Sequence, residues 1–134
     1  MSALATQRMR PIVIGLLRTD RHALRNRELA RAVAEAQEKA LWATADRHRW
    51  RMVTMLRLQP WTGEITDPIE HLLAQVHHCS ADAVAVSDRQ HLTDLQGRDC
   101  LDVVRQQCCV ATTSPEQLWP CTADTPAVLS RSWP

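Results

Sequence analysis

Hydrophobic positions along this chain run unbroken, then recur at spacings of three and four, then run unbroken again. Pro11 to Leu17 is a continuous, largely β-branched apolar run, the pattern of a strand buried on both faces. Thr19, Asp20, Arg21 and His22 break it. From roughly Arg25 to His48 the residues Leu29, Val33, Ala36, Ala40 and Ala43 recur at helical spacing among Ala, Glu, Gln and Arg, so propensity and periodicity agree on a helix. Its cap is Asn26, or Asp20 if it starts earlier. Arg51 to Leu58 is the second strand, stopped by Pro60, and Trp61 to Glu64 is a loop. Asp67-Pro68-Ile69-Glu70 is the start of a second helix: Asp67 as N-cap, Pro68 as first helical residue, Glu70 at the capping-box position. Ile69, Leu72, Leu73 and Val76 form its apolar face, and it should end near His78.

Ser80 and Asp82 lead into Ala83–Val86, a third buried strand, and Ser87 to Gly97 reads as a polar loop. Leu101, Val103 and Val104 belong to a third helix ending near Gln107, and Cys108 to Thr112 is a fourth strand. After Ser114-Pro115 the periodicity stops, and Pro115, Pro120, Pro126 and Pro134 mark residues 114–134 as an irregular tail. The pattern predicts one domain over residues 1–134 with its core at about 11–113. It is a three-layer α/β domain with a mostly parallel four-stranded sheet, in the order β-α-β-α-β-α-β with right-handed crossovers.

Composition narrows the setting more than the function. A chain of 134 residues with 45% hydrophobic content can bury a core without staples. Net charge is +1, which announces neither a nucleic-acid nor a membrane partner. No apolar run approaches the ~18 residues of a membrane span. The run from Ile12 to Leu17 is too short for a signal-peptide core, so a cytoplasmic location without membrane contact is expected. Lys39 is the only lysine among 16 Lys and Arg residues, and Phe and Tyr are absent, the bias of a GC-rich coding sequence. The five cysteines form no Cys-x-x-Cys pair and are expected as reduced thiols.

In open parallel sheets, ligands sit beyond the carboxyl ends of the strands. Those ends deliver Arg18, Thr19, Asp20 and Arg21; then Thr62 and Gly63; then Ser87, Asp88, Arg89 and His91. Arg18, Arg21, Arg89 and His91 are therefore the candidates for binding an anion or DNA, set against the plainer reading of solvated loops. His77-His78-Cys79 and Cys108-Cys109 are the candidate metal or thiol sites. Adjacent ligands diverge on a helix or strand, so no metal site and no cofactor is expected, and a metal- or thiol-dependent function stands as an alternative. Trp42, Trp50 and Trp61 read as packing in a chain without Phe or Tyr. Trp119 and Trp133, in the tail, are candidates for an interface with a protein partner or a second copy.

Several of these segments together resemble the catalytic domain of the serine recombinases (resolvases and invertases). Ile14 to Asp20 resembles its first strand, Thr62-Gly63 its Ser-Gly loop, Asp67 to Val76 the following helix, and Ala81 to Leu92 its third strand and Asp-Arg turn. The resemblance spans Ile12 to Pro115 and implies a resolvase-like fold. It also implies a serine nucleophile activated by arginines, but that position falls on Thr19 or Asp20. A carboxylate is repelled by a DNA phosphate, and a β-branched hydroxyl has restricted rotamers. Leu16 stands where the family has tyrosine. Arg89 keeps one arginine of the turn, His91-Leu92 lacks the second, and Glu64-Ile65-Thr66 lacks the one expected beyond the loop. Phosphoryl transfer rests on positioning and positive charge. The expectation is a recombinase-like domain without catalysis, acting by binding as a regulatory or protein-interaction module. A DNA-binding recombinase relative with residual activity is the alternative.

Overall fold

The computed structural model describes residues 10–18, 27–58 and 67–122. Within them the order is β1 (Ile12–Arg18), α1 (Arg27–His48), β2 (Arg51–Leu58), α2 (Pro68–Cys79), β3 (Ala83–Val86), a 3-10 turn (Arg89–His91), α3 (Leu101–Arg105), β4 (Cys109–Thr113) and β5 (Glu116–Trp119). The strands form one sheet in the order β2-β1-β3-β4-β5. Pairings among β1 to β4 are parallel, and β5 runs antiparallel to β4.

Strand alternation sends side chains to opposite faces. Ile14, Leu16, Val84, Val86 and Val110 pack with Ile69, Leu72 and Val76 of α2 and with Leu101 and Val104 of α3. Val13, Leu17, Ala83, Ala85, Cys109 and Ala111 pack with Leu41 and Ala45 of α1. The result is three layers, as the pattern predicts. The α1 face is built of smaller residues, so that long helix can lie close to the sheet. Asp82 sets the register at one end of the sheet. Its carboxylate accepts from the Ile12 N–H at 2.8 Å, its own N–H donates to the Ile12 carbonyl at 2.7 Å, and its carbonyl accepts from the Cys109 N–H at 3.0 Å.

α2 begins as its sequence says. Asp67 is extended, and its side chain accepts from the Ile69 N–H at 2.9 Å. The helix ends on Ser80 in the left-handed region (φ 52), where Ser80 and Ala81 return their N–H groups to the carbonyls of His77 and Val76.

Among the described residues the sheet has five strands, where four are expected. Glu116–Trp119 lies in the segment expected to be irregular, and it returns along β4 from Thr113↔Glu116 to Val110↔Trp119. Thr112 Oγ1 donates to the Pro115 carbonyl at 2.7 Å and holds the turn. The carboxylate of Glu116 takes Arg47 at 2.6 Å and His48 at 3.2 Å from the last turn of α1. The core accordingly extends past 113: Leu118, Trp119 and Cys121 pack onto the two hydrophobic clusters. The third helix is also shorter than expected, ending at Arg105. Among the described residues no helix is long and apolar enough to cross a membrane.

Candidate ligand site at the carboxyl ends of the strands

The carboxyl ends of β1 and β3 meet the loop that runs from Ser87 to Cys100, and this loop is built, not loose. Asp88 accepts from the Gln90 N–H at 2.8 Å and starts the 3-10 turn. Asp94 Oδ1 accepts from the N–H groups of Gln96 and Arg98, both at 2.9 Å, and Gly97 supplies the positive φ (82°) that closes this turn. Thr93 and Asp99 form an isolated antiparallel bridge, Cys100 donates to the Leu92 carbonyl at 2.8 Å, and Leu92 is fully buried. Polar side chains and backbone turns thus fix a stretch that reads from sequence as plain loop.

Arg18 holds this loop to the sheet. It is the last residue of β1 and is 0% exposed. Its Nη1 donates to the carbonyls of His91, at 2.9 Å, and Thr93. A buried guanidinium must find acceptors to offset its desolvation, and these carbonyls supply them. The sequence places Arg18 at an open edge as an anion ligand. In the structure the guanidinium is buried, and its Nη1 is directed onto these two backbone carbonyls.

Arg89 remains partly accessible. Its guanidinium pairs with Asp99 at 2.7 Å and lies 5.1 Å from the ring centre of Trp119. Burial pushes the Asp99 carboxyl up, but the Leu101 N–H and the Arg89 charge outweigh it and hold the group below its ordinary value. Trp119, a candidate interface residue, is half-buried on β5 with a cation over its ring. His91 is buried in the 3-10 turn. Thr19, Asp20, Arg21, Thr62, Gly63 and Trp133 lie outside the described residues. Of the sequence-selected groups, the structure brings Arg18, Arg89 and His91 to one loop.

Two cavities flank this loop. One, of about 450 Å³, lies between Val33 and Gln37 of α1 and the strand-end residues Ser87, Asp88, His91 and Ser114. The other, of about 300 Å³, is lined by Asp88, Arg89, Thr112, Gln117 and Trp119. Ser114, Gln37 and Gln117 were not singled out by the sequence. Ser114 is recoverable as the residue ending the fourth strand, whereas Gln37 is one of many polar positions on a long helix.

Cys108 and Cys109 sit on less reactive ground. Burial pushes the Cys108 thiol up to about 12 and raises Cys109 as well, although Cys109 Sγ accepts the Cys121 N–H at 3.4 Å. Among the described residues no three His, Cys, Asp or Glu side chains gather as a metal would need. Comparison with protein families, curated proteins and solved structures finds no match to the chain.

Proposed function

We propose that this chain works by binding, as a non-catalytic regulatory or interaction module, with its site at the carboxyl ends of β3 and β4. The observation that carries this reading is the burial of Arg18. Phosphoryl transfer needs cations that converge on the phosphate. Here the arginine of β1 donates to the carbonyls of His91 and Thr93, and Arg89 is engaged by Asp99 and Trp119. A recombinase-like ancestry enters the proposal on the sequence motifs between Ile12 and Pro115 alone, and it supplies no chemistry.

The test is incubation with supercoiled and linear duplex DNA at low salt, resolved on a denaturing gel. The expected result is neither strand cleavage nor a covalent protein–DNA adduct. An adduct, or nicking lost in a Thr19→Ala variant, would establish the catalytic alternative and overturn this reading.

A further inference from the structure

We propose that the larger cavity, between α1 and the ends of β3 and β4, binds a small neutral polyhydroxylated molecule of nucleoside or monosaccharide size. The inference rests on the binding reading above and specifies what is bound. At about 450 Å³ the cavity falls in the range of ordinary ligand pockets, and it opens where parallel sheets place their ligands.

The chemistry of its wall selects the ligand. Ser87 and Ser114 end adjacent strands and are held together by the Ser114 N–H donating to the Ser87 carbonyl at 2.8 Å. The structure records no protein hydrogen bond for either hydroxyl among the described residues, and each can both donate and accept. Asp88 has one oxygen fixed by the Gln90 N–H at 2.8 Å, which orients the carboxylate and leaves its second oxygen as an acceptor. Gln37 has a buried Oε1 with no hydrogen-bond partner among the described residues, a group whose desolvation a ligand hydroxyl would offset. Val33 supplies an apolar surface for the carbon face of a sugar. This is a wall of paired donors and acceptors, the complement of vicinal hydroxyls.

Among the described residues the charge of the wall favours a neutral ligand over a phosphorylated one. The described lining contains the carboxylate of Asp88 and the imidazole of His91, and no Arg or Lys. Arg18 lies beneath the loop, fully buried and bonded to its carbonyls. A phosphate brought to this wall would meet like charge, whereas a neutral polyol loses little on entry.

The experiment titrates the isotope-labelled full chain with adenosine, with ribose and with adenosine monophosphate, following backbone amide shifts. The expected result is saturable movement of the Ser87, Asp88, Gln90 and Ser114 amides with at least one neutral probe. Adenosine monophosphate should bind about fivefold more weakly than adenosine, and Asp88→Asn, which keeps a capping oxygen, should narrow that gap. A Ser87→Ala/Ser114→Ala double variant should weaken the neutral probe at least about threefold while its remaining amide spectrum stays that of the parent. Absence of saturable shifts at these amides with both neutral probes, or tighter binding of the phosphorylated one, overturns the proposal. Such a failure is distinct from failure of the binding reading, which only DNA cleavage or adduct formation would bring down.

Discussion

Gly15 shows how narrowly one position in this sheet is set. It pairs with Met55 across β1 and β2, and a Cβ placed on it would lie 2.5 Å from the Met55 sulfur and 3.1 Å from that of Met52. Both obstacles are flexible thioether ends, so they can swing aside. Gly15→Ala should therefore cost at most about 1 kcal/mol, whereas Gly15→Leu should cost about 2–3 kcal/mol by overpacking. Urea unfolding of the two variants checks this, and equal losses would mean that backbone rather than the methionines limits the site. Such a constraint is invisible in sequence, where Gly15 is one position within the continuous run from Pro11 to Leu17. The same holds for Arg18: an arginine closing a strand reads as a charge at the edge, whereas in the fold it is buried and donates to the His91 and Thr93 carbonyls.

Elements divide by how local their causes are. β1, β3 and α2 are legible because an unbroken apolar run or an Asp-Pro cap specifies each from its own residues. β5 is not, because four residues with two exposed ones carry no period, and the strand exists through its pairing with β4 and the turn held by Thr112. The 87–100 loop is intermediate. Asp88, Asp94 and Gly97 are turn-forming residues readable in sequence, but their joint geometry is tertiary.

That loop should also respond to acid. The Arg98 N–H, followed by the Arg98 guanidinium and the Gln96 N–H, holds the Asp94 carboxyl below its ordinary value of 3.8 despite burial. A depressed folded-state value means that the carboxylate's contribution is complete above 3.8 and disappears as pH falls through the lower folded value. Amide exchange at Gln96 and Arg98 should keep its protection down to that point and lose it below. Loss well above 3.8 would show that Asp94 does not organise the turn.

Among the described residues, the 87–100 loop covers the carboxyl ends of β1 and β3, anchored from beneath by Arg18 and from the side by Arg89 on Asp99 and Trp119. The two anchors differ in worth. The exposed Arg89–Asp99 pair contributes no more than about 1 kcal/mol. Removing the buried guanidinium leaves the His91 and Thr93 carbonyls without their donor in the interior. The α/β class and the parallel pairing of β1 to β4 follow from sequence pattern, whereas the strand order β2-β1-β3-β4-β5 does not. The cavities at the strand ends do not, because they depend on where α1 crosses the sheet and on a loop shaped by a buried charge. Among the described residues the guanidinium of β1 holds the fold, and the cavity wall presents hydroxyls, a carboxylate and the His91 ring. Urea unfolding of Arg18→Met, which keeps the length of the side chain and removes its donors, tests it most directly. A loss of about 3 kcal/mol is predicted. An unchanged midpoint would mean that the guanidinium does not hold the loop to the sheet, contradicting the account.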